Sequence, residues 1–361
     1  MLHVLIGTKG QLIKMAPVML EMDKAELKYR FINASQHAGI LDEIRSLFGL
    51  REYDHVFYGL GRDISRSSEL LLWMLVNIAK NGVRSSIFRK RDYVILHGDA
   101  PPALLGLIIA KMRGLRVIHV EAGERTHKLF EPFPEEPIRR IVDMGSNHLF
   151  ALSDQPYSNL KGEGHKGKVW RIRVNTIVDS VRIALKKGGA ISPPSGDYVL
   201  ASIHRFETIS NYKRLEKVVR TIDKISEEFK VVFPIHESTR TGLESKHLMM
   251  KLKENRNVVL MPLLDYFSFI GHIKKARYVV TDGGGPQQET YLLGKPCLVM
   301  REVTEHPEYP NVYVGGFDLR KTNHFIRNYD EYGIPSPLEK FRNYSPSRHI
   351  VRIIQEDIGV R

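Results

Sequence analysis

Short runs of β-branched and aromatic residues alternate with longer amphipathic stretches along the whole of this 361-residue chain. In the first half the runs are 2–6 (LHVLI), 29–33 (YRFIN), 55–58 (HVFY), 93–97 (YVILH), 117–120 (VIHV) and 149–152 (LFAL). In the second they are 198–202 (YVLAS), 231–235 (VVFPI), 258–261 (VVLM), 278–281 (YVVT) and 297–300 (CLVM). Strand-length runs separated by helix-length patterns predict parallel sheets with crossover helices. Most of the runs are apolar throughout, as strands covered by helices on both faces must be. So long a chain exceeds what one hydrophobic core organises, and two domains are expected. A helical segment, Asn175 to Lys187, ends at Gly188-Gly189, and a polar, Pro-rich stretch, 191–196, reads as the linker before a fresh strand. The last segment, Ser347 to Ile358, reads as a helix that the pattern assigns to neither half. Each half thus reads as one doubly wound α/β sheet, whose ligands bind beyond the C-terminal strand ends, and two such sheets would share a central cleft.

Composition narrows the picture. Hydrophobic content of 42% and 26% charged residues are ordinary for a globular protein. No apolar run reaches the roughly 18 residues a spanning helix needs, so no membrane insertion is expected. The N-terminus opens at once with Val4-Leu5-Ile6-Gly7 and does not read as a signal peptide. The single cysteine, Cys297, excludes an internal disulfide and points to the cytoplasm; within its apolar run it reads as a buried small hydrophobe. The net charge of +13 admits nucleic acid, an anionic small molecule or a weakly selective basic surface. The basic residues are spread along the chain, and the densest stretch, Arg84 to Arg91, has only Phe88 as an aromatic. A phosphate-bearing ligand fits better than nucleic acid.

Three segments carry candidate chemistry. At 278–293 a strand runs into Asp282-Gly283-Gly284-Gly285-Pro286 and then a helix with Glu289 in its first turn. Glycines there allow close backbone approach, Pro286 suits the first helical position, and the N–H groups of a helix start can hold a diphosphate. Glu289 is placed for ribose hydroxyls. A tight turn needing glycine only for geometry is the alternative. Gly7-Thr8-Lys9-Gly10-Gln11, followed by Lys14, resembles half a phosphate loop, and by itself reads as an ordinary strand-to-helix turn. Acids also follow strands in the first half: Asp99 in His97-Gly98-Asp99, Glu121 after 117–120, and Glu135 with Glu136 one turn ahead of Arg139. Helix capping could account for each separately; three that can face one cleft favour acid–base work. The histidines lack metal-binding spacing, so neither a metal nor another cofactor is expected.

Segments 7–18, 97–99, 119–140, 204–207, 262–266 and 281–308 resemble, in order and spacing, the non-hydrolysing UDP-N-acetylglucosamine 2-epimerases. The resemblance runs from Met1 to about Gly316. It implies two Rossmann-like domains in the glycosyltransferase-B arrangement: 1–172 carrying the acids, with the helix 346–361 returning to it, and 173–345 binding UDP. By position Asp99, Glu121 and Glu135 match the family's catalytic carboxylates and His204 its essential histidine. Lys14 and Arg139 match basic active-site positions; Gly284, Gly285 and Glu289 match the diphosphate and ribose site; and His236 fills the slot of a histidine near the nucleotide. Lys9 stands where the family has arginine, a point charge in place of a bidentate guanidinium. Gly283 replaces the serine of Ser-Gly-Gly, Phe206 an arginine, and Glu207-Thr208 a Glu-Asn. Gln36-His37-Ala38-Gly39 keeps only Gln-His of a polar segment.

The implied activity is reversible epimerisation of a UDP-N-acetylhexosamine at C2, supplying surface polysaccharide precursors, and a homodimer is expected. C2 is not next to a carbonyl, so its proton becomes acidic only as the C1–oxygen bond to UDP breaks. Elimination and re-addition on opposite faces needs two acid–base groups, here Glu121 and Glu135, with Asp99 supporting one of them. His204 and the basic residues would stabilise the departing UDP. Glu124, standing where the family has leucine in Glu-Ala-Gly-Leu-Arg-Thr, keeps open a hydrolysing epimerase that releases free sugar. A catalytically inactive nucleotide-sugar sensor would keep the glycine loop and lose the acids, which are present.

Overall fold

The computed structural model describes every residue except 37–38, 65–66, 85–86, 127–133, 305 and 361. His37 and Ala38 of the Gln36–Gly39 segment, two serines within the basic stretch 84–91, and Pro132 and Phe133 ahead of Glu135 therefore lie outside the described residues. The chain divides into two compact units, Met1–Ser180 with Ser345–Arg361, and Val181–Tyr344. The division falls inside the helix Ile177–Lys187. The Pro-rich stretch read as a linker belongs wholly to the second unit.

The first unit holds β1 (Leu2–Ile6), β2 (Tyr29–Asn33), β3 (His55–Val56), β4 (Tyr93–His97), β5 (Arg116–Val120), β6 (His148–Ala151) and β7 (Lys168–Arg171). They form one 7-stranded parallel sheet in the order β3-β2-β1-β4-β5-β6-β7. The second unit holds β8 (Tyr198–Ser202), β9 (Lys230–Ile235), β10 (Val258–Pro262), β11 (Val279–Thr281), β12 (Cys297–Val299) and β13 (Val312–Val314), ordered β10-β9-β8-β11-β12-β13. Both sheets are doubly wound: the winding reverses at the first strand, which leaves a crevice where the loops after two neighbouring strands diverge. In the first unit those strands are β1 and β4; in the second, β8 and β11.

Packing explains why the pattern was readable. Leu5, Ile32, Leu96 and Val117 of the first sheet are buried with Trp73, Leu105 and Ile109 of its helices. Val199, Val231, Phe233, Val280 and Leu298 are buried in the second with Leu215, Ile222 and Phe325. The final helix, Pro346–Glu356, belongs to the first unit. The Asp179 carboxylate accepts from Ser345 Oγ at 2.8 Å and from the Ser347 N–H at 3.0 Å, and Arg348 pairs with Glu21 at 3.1 Å.

Edges are where expectation and structure part. The run at 55–58 pairs only over His55–Val56, at one edge of the first sheet. Neither β7 nor β13 was expected, and each is the opposite edge of its sheet. An edge strand covered on fewer sides needs no continuous apolar run: the ends of β7, Lys168 and Arg171, are exposed. Two local readings are corrected. The glycine-loop helix begins at Gly284, so Pro286 is its third residue, where a missing N–H still costs nothing. Glu289 is the sixth residue, on the second turn, not the first.

Candidate active site

In the first unit the site residues stand at the ends of adjacent strands. His97 ends β4, and Gly98 turns the chain with φ +61° into Asp99. Glu121 follows β5 directly, with φ +68°. A left-handed backbone at a glutamate costs about 1–3 kcal/mol and persists only where the surroundings over-determine it. Those surroundings are visible. Lys14 Nζ donates to Glu121 Oε1 at 2.6 Å, and Asn175 Nδ2 donates to the same oxygen at 2.5 Å. Burial alone would raise the Glu121 carboxyl; the Lys14 ammonium and these hydrogen bonds hold it down to about 2. Burial likewise disfavours the Lys14 ammonium, yet Glu121 holds its pKa above the ordinary value.

A second pair stands beside the first. Arg139 hydrogen-bonds Asp99 through Nη2 and Glu136 through Nη1, the latter at 2.8 Å. Arg139 lies on the helix Glu135–Gly145, which Glu135 opens, half-buried, one turn ahead of it. Glu136 is fully buried; it accepts from Arg140 at 2.8 Å and from the Thr126 N–H at 3.2 Å, so its role is to seat the arginines.

Behind both pairs lies a buried brace. The Asp143 carboxylate contacts His119 Nδ1 at 2.7 Å, Arg125 at 2.8 Å and the Gly123 N–H at 3.1 Å. His119 Nε2 donates to the Gly98 carbonyl at 2.8 Å. The turns that carry Asp99 and Glu121 are thus fixed from the core side. Gln11 does the same for the turn after β1: Oε1 accepts from the Gly7 and Thr8 N–H groups at 3.0 and 3.2 Å, and Nε2 donates to the His97 carbonyl at 2.8 Å. Thr8 caps the helix Lys9–Lys24, which presents Lys9 at its first position and Lys14 at its sixth. At ~100° per residue the two lysines lie about 140° apart around that helix.

The second unit builds its site mainly from backbone. The Asp282 carboxylate, buried after β11, accepts the N–H groups of His204 and Arg205, each at 3.0 Å. This locks the end of β8 to the glycine loop. The His204 ring lies on His236 with centroids 5.0 Å apart, and His236 follows β9. Gly283 is needed for steric reasons, because a Cβ there would sit 2.6 Å from His204 Cε1. Gly285 is not: a Cβ there would meet nothing within 4 Å, and the residue is exposed at the helix start beside Gly284. Turn geometry alone therefore does not call for glycine at 285. Glu289 is buried against Tyr266, whose phenol is pushed well up by burial and by that carboxylate.

Comparison with known proteins shows the family. The profile of the family described as UDP-N-acetylglucosamine 2-epimerase matches residues 20–313. The UDP-N-acetylglucosamine 2-epimerase of Methanocaldococcus jannaschii is 30% identical over 319 residues, 85% of each chain. That of Methanococcus maripaludis is 31% identical over 320 residues, 84% of each. The chain belongs to the UDP-N-acetylglucosamine 2-epimerase family. A crystal structure of the Methanocaldococcus jannaschii epimerase in complex with UDP-GlcNAc and UDP superposes with a TM-score of 0.82 at 28% identity, covering 98% of this chain and 99% of that one. The Neisseria meningitidis epimerase bound to UDP-GlcNAc gives 0.78 at 26%, over 98% and 99%.

For a member of this epimerase family, the sequence reading missed His97, Gln11, Asn175, Asp282 and Tyr266. His97 and Asp282 each stand two residues before a candidate, Asp99 and Gly284, so the motif itself carried the signal. Asn175, 54 residues from Glu121, carried none. Among the described residues no group of three or more His, Cys, Asp and Glu could hold a metal ion, and no helix is long and apolar enough to cross a membrane.

Proposed function

We propose that the protein interconverts UDP-N-acetylglucosamine and its C2 epimer by eliminating and re-adding UDP, in the service of surface polysaccharide synthesis. The observation that carries this is the ionised pair Lys14–Glu121 at a strained strand end, with the pair Asp99–Arg139 beside it in the same unit. Family membership supplies the substrate class. The proton at C2 leaves as the C1–oxygen bond breaks, and its electron pair becomes the C1–C2 double bond. Glu121 works on one face of C2 and Glu135 on the other, with Asp99 held in place by Arg139. The second unit holds UDP: the diphosphate at the helix start of Gly284 and Gly285, the ribose at Glu289, and the leaving phosphate near His204 and His236.

Glu121 as seen is a weak base, because Lys14 and Asn175 stabilise its charge. NMR of UDP-N-acetylglucosamine with the protein in deuterated water tests the reading. Deuterium should enter C2 as the two UDP-sugars equilibrate. Epimerisation with the C2 hydrogen retained would exclude elimination, and release of free hexosamine would establish a hydrolysing enzyme.

A further inference from the structure

Two donors converge on one oxygen of Glu121, Oε1, and leave the other, Oε2, facing an imidazole. Nε2 of His97 lies 3.7 Å from Oε2, too far for a hydrogen bond. This nitrogen is buried and has no hydrogen-bond partner among the described residues. A buried polar atom without a partner is costly in a folded protein and calls for a reason. A ring N–H beside a carboxylate would close to hydrogen-bond distance; the open 3.7 Å gap at a buried nitrogen is what a lone pair on Nε2, with the ring's proton on Nδ1, gives. Two lone pairs thus face each other with no proton between them. The backbone here is held, by Gln11 on the His97 carbonyl at 2.8 Å and by His119 on the Gly98 carbonyl at 2.8 Å, so closing the gap to hydrogen-bond distance takes only a small rotation of the two side chains.

We propose that His97 is the proton-sharing partner of Glu121: the proton that Oε2 takes from C2 is hydrogen-bonded to His97 Nε2, and that bond exists only while the proton is there. The inference rests on the epimerase reading. As the C2–H bond breaks, its electron pair forms the C1–C2 double bond. The C1–oxygen pair leaves with UDP, and the proton lies on Oε2, donated to Nε2. Return of UDP reverses each transfer. The arrangement resolves a tension in the site, since a carboxylate stabilised by an ammonium and an amide is a poor proton acceptor, and a second acceptor alongside offsets that loss. Burial pushes the His97 ring down to about 4, which keeps it neutral and able to accept at working pH. His97 does not touch the sugar; it acts through Glu121.

The test compares wild type with His97→Asn on ordinary and C2-deuterated UDP-N-acetylglucosamine. The expected result is a fall in kcat of about tenfold or more, the worth of one hydrogen bond in the reacting state, with KM little changed. The isotope effect of C2 deuterium on kcat should rise, because proton abstraction becomes slower relative to other steps. An unchanged kcat, or a lower kcat with an unchanged isotope effect, would overturn the proposal, since a purely structural role moves KM and melting temperature instead. Should the variant not fold, nitrogen NMR of histidine-labelled wild-type protein decides. His97 protonated at Nδ1 supports the proposal, and protonated at Nε2 overturns it. Absence of C2 exchange in wild type would sink the epimerase reading itself, and the NMR result would still report on the His97 pair.

Discussion

After β5 the chain turns to set Glu121 against the Lys14 ammonium at 2.6 Å; after β11 it turns to set Asp282 against two backbone N–H groups at 3.0 Å each. The two units wind their strands in the same relative order, so the difference is not one of fold. The first unit places ionised side chains at its strand ends and braces them with a buried Asp143–His119–Arg125 set. The second spends its carboxylate on fixing a loop and leaves a glycine-rich helix start open. A site that must move protons needs side chains whose charge can change, whereas a site that must hold a diphosphate needs fixed dipoles that cost nothing to reorganise. One topology can serve both of these proposed roles, because the crevice lies at the same place in each sheet.

The largest expected effect breaks the first half of that contrast. Glu121→Gln keeps the shape of the side chain and removes its proton affinity, so turnover should fall by at least roughly a hundredfold. Calorimetric UDP affinity should change little, because the contacts proposed for UDP lie in the second unit. Equal loss of turnover and UDP binding would show that the two units do not divide the work in this way.

Lys14→Ala sharpens the same side. Removing one member of a largely buried pair leaves Glu121 beside Asn175 with no cation, at a cost on the order of 3 kcal/mol near neutrality. The pH sign follows from the lowered Glu121 carboxyl. In wild type its stabilisation is complete above the ordinary value of 4.5 and is lost as pH falls towards about 2. In the variant that carboxyl rises, so the acid-dependent loss between those limits should shrink. Melting temperatures recorded from neutral pH down to pH 2 check this, and an unchanged acid slope would mean that Lys14 does not set the charge of Glu121.

How much of this was legible follows from the same physics. Central strands such as β1, β4, β8 and β11 are covered on both faces, so their sequences are apolar runs and could be read directly. The edge strands β7 and β13 carry no such requirement and left no pattern. Asp99, Glu121 and Glu135 were legible as acids following strands or opening helices. Lys14 and Arg139 stood out only through the resemblance, and their pairing with these acids did not: Lys14 is 107 residues from Glu121, and only the fold brings the two together. Gly283, seen in the sequence as a lost serine, proves to be the space that the His204 ring occupies.

That last point gives the third test. Gly283→Ser restores the residue usual in the family but puts a Cβ 2.6 Å from His204 Cε1, so the ring must rotate away. Displacing it from its preferred rotamer is worth about 1 kcal/mol, and turnover should fall by several-fold to about tenfold with little change in melting temperature. A fully active Gly283→Ser variant, with the His204 ring still against that of His236, would separate the two positions.

The smallest effect is expected from Tyr266→Phe, and it probes the second half of the contrast. The change removes only the hydroxyl that faces Glu289 and keeps the buried ring. A hydrogen bond to a carboxylate contributes about 1.5 kcal/mol, and here the loss falls on a group proposed to orient ribose, not on one that changes charge during reaction. UDP affinity should therefore weaken by a few-fold up to about tenfold, with KM for the UDP-sugar rising in step. At saturating substrate kcat should stay near its wild-type value, since an interaction made equally in the bound and the reacting states changes binding alone. Titration calorimetry with UDP and a saturation curve for epimerisation measure the two quantities separately. A fall in kcat comparable to that of Glu121→Gln, with UDP affinity intact, would place Tyr266 among the proton-moving groups, and the second unit would then be more than a holder of nucleotide.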